Sequence, residues 1–336
     1  MSRRVAVLGA TGLVGRTLVR LLETRAFPTE TPRVLASEGG GRLMLWRGGP
    51  LVVEAVTERS FDGIDLVWFA VSNPLAERWA PVARAAGATV IDNSSAHRYL
   101  PDVPLVVPEI NGALLESRPT LIANPNCSTA GIVMALAPLA RAARLERLTV
   151  ATYQSTSGGG AETLEAFERG VRDGLDGDPP PRESGLPPLA YNVVPQIDRF
   201  ESNGYTREEM KITWETRKIL GLPELAVSAT AVRVPVRVGH SAAVHARFDR
   251  PLDLDDVRRR WAAFPGVEVV DDPDTGRFPT PLAAAGRAPV LVGRLRTDLT
   301  DRRGLVFFLC SDNLLKGAAL NAIQIGEALV RAGARV

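Results

Sequence analysis

Cys127 sits in LIANPNCSTAGIVMALAPLA, between a short apolar run and a segment that reads as a helix. Asn124, Pro125 and Asn126 form a turn before it, and Ser128 or Thr129 is a good N-cap for the helix that follows. A thiol at a helix N-terminus feels the dipole, which stabilises the thiolate and lowers its pKa. Most lone cysteines are inert core residues, and Cys310, inside the apolar GLVFFLCSD, fits that description. Cys127, among polar turn-forming neighbours, has the setting of a reactive sulfur.

A cysteine nucleophile wants a base. There are 3 histidines, His97, His240 and His245. In VRVGHSAAVHARF, His240 follows Gly239 at the end of an apolar run, where side chains reach a cleft, and it is the best base candidate. His245 lies an odd number of residues away, so on a continuing strand it faces the opposite side. That argues against a two-histidine metal site, and neither HExxH nor CxxC occurs, so no metal is expected. His97, in SSAHRYL, is a surface residue or lies near a site through its neighbour Arg98.

VAVLGATGLVGRTLVRLL sets Gly9, Gly12 and Gly15 directly between a strand and a helix. That is the context of a dinucleotide-binding turn: glycines let the backbone approach a pyrophosphate, and the helix N-terminus supplies N–H groups and a positive dipole end. The spacing is GxxGxxG, which a purely structural turn also uses. Its place at the first strand of a strand–helix series favours the cofactor. The second strand ends LASEGGGR, where Ser37 and Arg42 can receive a 2′-phosphate and Glu38 repels it. Taken bare, this segment is ambiguous between NAD and NADP.

The elements that must position these residues follow from periodicity. Residues 4 to about 125 alternate short apolar strands (RVAVLG, RVLAS, DLVWFAVS, TVIDN, PLVVPEI) with helical segments (GRTLVRLLETR, NPLAERWAPVARAAG). This predicts a Rossmann-type α/β dinucleotide-binding domain with a largely parallel sheet. After Cys127 the runs RLTVATYQSTSG, VSATAVRVPVRVG, SAAVHARF and LVFFLCSDN predict an α+β domain built on a mixed sheet. The last segment, NLLKGAALNAIQIGEALVRAGA, reads as an amphipathic helix able to return to the first domain. The boundaries expected are 1–127 with 313–336 for the cofactor domain and 128–312 for the catalytic one. Residues 174–188, GLDGDPPPRESGLPP, are too rich in Pro and Gly for regular structure and read as a surface loop.

Bulk properties narrow the partners. A chain of 336 residues, 45% hydrophobic and 23% charged, has room for two cores. A net charge of +2 without a basic, aromatic-interleaved block points away from nucleic acid. The longest apolar run is too short for a bilayer. No signal peptide is evident, and 2 cysteines give no disulfide framework, which fits a soluble protein of a reducing cytoplasm.

GATGLVG, DNSSAHRY, VPEIN, ANPNCST, TYQSTSGGG, NGYTREEMK, ETRKILG, ATAVRVPVRVGHS and SDNLLKGAALNAIQI follow one another in this order. The combination resembles the aspartate-β-semialdehyde dehydrogenase family over essentially the whole chain. The resemblance implies a reversible, phosphate-dependent oxidoreduction in which aspartate 4-semialdehyde, phosphate and NADP interconvert with 4-phospho-aspartate and NADPH. This serves diaminopimelate, lysine, threonine and methionine biosynthesis. It also implies a homodimer or dimer of dimers, with the second domain at the subunit interface.

Carried over by motif, the resemblance makes Cys127 the nucleophile that forms a thioester and His240 the general acid and base. Gln154 orients the substrate, Arg233 binds its carboxylate as a fork, and Glu208 takes its amino group, with Asn126 beside the cysteine. Arg98 and Lys211 hold the phosphate. Gly9, Thr11, Gly12, Leu13, Val14, Ser37, Arg42, Ser157, Gly158 and Asn313 meet the cofactor. Taken singly, Arg98, Lys211 and Glu208 also read as ordinary solvated charges, whereas an arginine inside VSATAVRVPV faces a cleft or a buried acid.

Three places depart from the family pattern. SEGGGR lacks the arginine expected to meet the 2′-phosphate, so Arg42 replaces it or NAD is accepted. AVSNPLAE brings Asn73 and Pro74 into the third loop, and His97 stands where an aromatic is expected. The nearest enzyme alternative is another acyl-phosphate reductase, of the N-acetyl-glutamyl-phosphate type. REEMK together with RVPVRVGHS favours the aspartyl substrate. A non-catalytic paralogue is the other alternative, and retention of Cys127, Gln154 and His240 together speaks against it.

Overall fold

The computed structural model describes residues 2–38, 40–175 and 187–333, arranged as two compact units, Met1–Asn126 with Ala318–Val336 and Cys127–Gly317. Residues 313–317, expected with the cofactor domain, group with the second unit.

In the first unit, the strands are β1 (Val5–Leu8), β2 (Arg33–Ala36), β3 (Leu43–Trp46), β4 (Gly49–Val52), β5 (Glu54–Ala55), β6 (Leu66–Phe69), β7 (Thr89–Asp92) and β8 (Leu121–Ala123). Six of them form one sheet in the order β5-β2-β1-β6-β7-β8, parallel throughout. Such sheets are covered on both faces, which is why VAVL and LVWF are apolar at every position and fully buried. The strand order reverses between β1 and β6, and ligands of open parallel sheets bind at such a switch point, outside the carboxyl ends of the strands.

The Leu13–Thr24 helix leaves β1 and buries Leu18, Val19 and Leu22. The carboxyl-terminal Leu320–Arg331 helix packs beside it on the same face, with Ile323 and Leu329 in one core with Leu18 and Leu22, and there the Trp68 indole N–H donates to the Ala322 carbonyl at 2.8 Å. A side chain at Gly326 would stand 2.7 Å from the Trp68 ring, so the helix approaches the sheet at its glycine. PLVVPEI is not a strand: Leu105 makes one isolated bridge to Ala123, and Pro108 opens the short Pro108–Asn111 helix, which its fixed φ favours. The antiparallel β3–β4 hairpin is a further difference from the sequence reading.

The second unit holds β9 (Leu145–Gln154), β10 (Ala226–Arg233), β11 (His240–Phe248), β12 (Val267–Val269), β13 (Val290–Thr297) and β14 (Gly304–Ser311). They form a mixed sheet in the order β10-β9-β11-β14-β13-β12. The Cys127–Ala140 helix is buried from Ser128 to Leu139, and Gly131 admits it onto β14, since a Cβ there would meet the Ser311 hydroxyl at 2.8 Å. Gly174 and Leu175, expected in the Pro/Gly-rich loop, complete the Ala161–Leu175 helix, whose Val171 carbonyl accepts from the Tyr191 hydroxyl at 3.0 Å. Residues 176–186 of that loop lie outside the described residues. Among the described residues, no helix is long and apolar enough to cross a membrane.

Candidate active site

Three strand ends and one helix start deliver the chemistry of the second unit. β9 and β10 run parallel with Gln154 paired to Arg233, so both residues arrive at the same edge of the sheet. β11 runs antiparallel to β9 with Ser241 opposite Tyr153, which brings His240, its first residue, to that edge as well. The buried helix begins at Cys127 itself, so Ser128 and Thr129 lie within its first turn rather than capping it. Gly317 backs the sulfur-bearing residue closely: a Cβ there would stand 3.0 Å from Cys127 Cβ.

His240 Nε2 lies 3.2 Å from Cys127 Sγ. Its other nitrogen, Nδ1, accepts from the Ser155 backbone N–H at 3.1 Å, with the Ser155 hydroxyl also 3.1 Å away. A nitrogen that accepts carries no proton, so the neutral ring bears its proton on Nε2, aimed at the sulfur. Burial pushes the His240 pKa well below 6.5, and the positive charge of Arg233 pushes the same way, so the ring is neutral at pH 7. The helix N-terminus favours negative charge at Cys127. His245 faces the opposite side of β11, exposed, 3.9 Å from Asp298.

Arg233 donates from Nη1 to the Ser155 carbonyl at 2.9 Å. Burial disfavours its charge, whereas Glu208 and Cys127 lie close enough to favour it. Gln154 donates to Glu208 Oε1 at 3.1 Å, Lys211 reaches Glu208 Oε2 at 3.3 Å, and Lys211 also reaches Asp198 at 2.8 Å. Glu208 and Lys211 are held one turn apart in the Arg207–Leu220 helix, whose start is fixed by a capping box between Thr206 and Glu209. Both are mostly buried, so neither is an ordinary solvated charge.

Ser157, Gly158 and Asn313, expected at the cofactor, belong to the same network. Asn313 Oδ1 receives the Gly239 N–H at 2.9 Å and the Ser155 hydroxyl at 3.0 Å, and Asn313 Nδ2 donates to Ser157 at 3.0 Å. Gly158 leaves room that nothing larger could: its Cβ would stand 2.8 Å from Arg233 Nη1 and 2.9 Å from His240 Cε1. Sequence reasoning missed Ser155, Asp198 and Gly317. No motif flags a serine between Gln154 and Ser157, and Asp198 shows itself only by its positive φ of 70° and its contact with Lys211.

The first unit holds the remaining residues. Gly9, at φ +86°, turns the chain after β1 where a Cβ would collide with the Ala70 carbonyl oxygen at 2.2 Å; one at Gly15 would meet the Gly9 oxygen at 2.1 Å. Gly12 is the helix N-cap without a side-chain cap, followed by Leu13 and Val14, and Thr11 precedes it. The N–H groups of a helix's first turn have no partner within the helix, and at the carboxyl end of the first parallel strand they fit a dinucleotide pyrophosphate. Ser37 and Arg42 are exposed beyond the end of β2. Arg98 is buried and donates from Nη2 to the Asn93 carbonyl at 2.7 Å. His97, beside it, is no surface residue, for its Nδ1 lies 2.6 Å from buried Asp92. Asn126 is buried and adjoins Cys127 in the chain.

A parallel sheet with a glycine turn at its switch point, joined to a mixed-sheet unit bearing a thiol–imidazole pair, defines an oxidoreductase of the dinucleotide-dependent class. The comparisons make this particular. Residues 4–118 match the model of the semialdehyde dehydrogenase NAD-binding domain, and residues 136–316 that of the semialdehyde dehydrogenase dimerisation domain. The chain is 44% identical to an aspartate-semialdehyde dehydrogenase of Synechocystis, over 98% of each chain. It superposes on aspartate semialdehyde dehydrogenase II of Vibrio cholerae complexed with ASA, TM-score 0.95 at 40% identity, over 98% of this chain and 99% of that one. The Candida albicans aspartate semialdehyde dehydrogenase with NADP gives a TM-score of 0.77 at 26% identity, over 99% of each. The chain belongs to the aspartate-semialdehyde dehydrogenase family.

Proposed function

We propose that the protein interconverts L-aspartate 4-semialdehyde and 4-phospho-L-aspartate with NADP and phosphate, through a thioester on Cys127. The observation that carries this is the 3.2 Å approach of His240 Nε2 to Cys127 Sγ, with the forked cation Arg233 beside them. In the reductive direction Cys127 sulfur bonds to the acyl-phosphate carbon, and the phosphate leaves with its bridging oxygen. A nicotinamide cofactor held at the glycine turn would supply hydride to the thioester carbon. The carbon–sulfur bond then breaks, returning Cys127 as the thiolate and releasing the aldehyde; the oxidative direction reverses these steps. His240 moves the proton of the carbonyl oxygen at Nε2 as that oxygen gains and loses charge. Arg233 suits the substrate carboxylate by its fork and Glu208 suits the amino group by its charge, while Gln154, bonded to Glu208, orients the acyl group. Lys211 and Arg98 suit the phosphate, which carries about two negative charges near neutral pH. Asn126, the chain neighbour of Cys127, would serve as a further polar contact for the substrate.

Gly9, Thr11, Gly12, Leu13 and Val14 would cradle the pyrophosphate, with Ser157, Gly158 and Asn313 toward the nicotinamide. Ser37 and Arg42 would receive a 2′-phosphate, and the NADP of the Candida relative supports that preference. The matched dimerisation domain supports a homodimer or dimer of dimers, and a catalytic thiolate suits the reducing cytoplasm. The test is NADPH formation from aspartate semialdehyde with and without phosphate or arsenate. Formation only with the anion is expected, and formation indifferent to it sinks the phosphorylating mechanism.

A further inference from the structure

Nothing in the assigned roles accounts for the far side of the His240 ring, where Ser155 presents two groups to one nitrogen. We infer that the Ser155 hydroxyl is the group that lets His240 carry a proton on Nδ1, and so lets it act as acid and base at Nε2. The inference rests on His240 as the proton carrier of the proposed reaction and assigns a positioning role to a residue outside that set.

A proton passes through Nε2 between two states of the ring: the imidazolium, protonated on both nitrogens, and the imidazole protonated on Nδ1 alone. Both carry a proton on Nδ1 and need an acceptor there. The Ser155 N–H, 3.1 Å from Nδ1, is a donor whose direction is fixed by the backbone. Against it alone, only the Nε2-protonated imidazole is comfortable, and that form has no lone pair at Nε2 to receive anything.

The Ser155 hydroxyl lies 3.1 Å from Nδ1 and is a rotor, so it accepts as readily as it donates. When it accepts from Nδ1–H, its own proton turns to Asn313 Oδ1 at 3.0 Å or to Ser157 Oγ at 3.1 Å. No proton leaves the serine; only the direction of its O–H changes. A ring protonated on Nδ1 then takes the Cys127 thiol proton on Nε2, leaving a thiolate and an imidazolium, and charge is conserved. Asn313 supports the switch from the other end, because the same Oδ1 holds the Gly239 N–H and with it the turn into His240.

The surroundings of the ring set what the hydroxyl must offset. Burial and Arg233 oppose the protonated ring, and the Gly239 backbone favours it. On the thiol side, Cys127 faces Nε2, and burial disfavours the charge on Arg233 while Glu208 and Cys127 favour it. The hydroxyl is the adjustable member of this set, buried and already linked to two further polar side chains.

The test is nitrogen NMR of the intact protein labelled at histidine, which with 3 histidines gives three resolvable rings. Ser155→Ala keeps the N–H and removes the rotor. Its His240 titration midpoint is expected about one pH unit below that of the wild type, the worth of one hydrogen bond to a charged group. Ser155→Thr, which keeps the hydroxyl, should restore the midpoint, and the acid limb of the kcat profile should follow both variants. The His97 and His245 signals report whether each variant is folded. Equal His240 midpoints in wild type and Ser155→Ala, with those two signals unmoved, overturn the inference. The titration uses no substrate, so its outcome stands apart from the phosphate-dependence assay that judges the reaction itself.

Discussion

His240 Nε2 stands 3.2 Å from Cys127 Sγ, and the two residues come from opposite kinds of element, the start of β11 and the start of a buried helix. Each is fixed by its own close neighbour. Gly317 leaves no slack behind Cys127, and Gly239, at φ +98°, turns the chain into His240.

The two cysteines should differ sharply in reactivity. Cys310 is buried in β14 against the Ser241 hydroxyl at 3.1 Å, and burial pushes its thiol up to about 12. Cys127 is partly exposed at a helix N-terminus. One equivalent of alkylation by iodoacetamide at pH 8 is expected in the native protein, mapped to Cys127 by mass spectrometry, with the second appearing only on unfolding. Cys127→Ala should abolish turnover. Native labelling at Cys310 would contradict the burial argument.

Gly158→Ala tests the narrowness of the site. The added methyl would sit within 3 Å of both Arg233 and His240, side chains that the proposed reaction depends on. A displacement on the order of 1 Å in a catalytic group costs about 10²-fold in rate. We expect kcat/KM to fall about a hundredfold while the unfolding midpoint moves little. An active variant would show that the two side chains have room to yield.

Asp198→Asn probes the lysine expected at the phosphate. Asp198 holds Lys211 at 2.8 Å, and burial, which raises its pKa, is outweighed by that lysine and the Arg199 N–H, so the pair persists into acid. Asp198 is about a third exposed, so the pair is a modest one. Removing the competing carboxylate should lower the KM for phosphate up to about fivefold and leave the KM for aldehyde alone. A raised KM for phosphate would mean that Asp198 aims the lysine rather than competing for it.

The parallel sheet and its glycine turn were legible because strands buried on both faces are continuously apolar, and glycine punctuates β1 where a carbonyl comes too close for any other residue. Cys127 and His240 were legible from contrast with their neighbours. Ser155 was not: the feature that matters is which group faces Nδ1, and that depends on the antiparallel pairing of β9 with β11. Asp198 was hidden for a similar reason, since it meets Lys211 only after the chain between β9 and β10 has folded back. PLVVPEI failed as a strand because its prolines outweigh its apolar run. The β3–β4 hairpin was missed because Leu43, Leu45 and Val52 point outward, against the usual burial pattern.

The buried imidazole also makes a prediction about stability. His240 titrates well below 6.5 in the folded protein because burial and Arg233 oppose its charge, and near 6.5 when unfolded. Above the unfolded value both states are neutral and the group costs nothing. As pH falls below about 6.5 the unfolded chain binds a proton that the folded one refuses, so stability is lost progressively until the folded pKa is reached. His240→Asn removes this difference and nothing else that titrates. Between pH 6.5 and 5 the wild type should lose a few degrees of Tm more than the variant, because about 1 kcal/mol moves the Tm of a large domain by ~2–4 °C. Calorimetry across that range checks it: parallel Tm curves for the two proteins would mean that His240 takes up its proton equally well folded and unfolded.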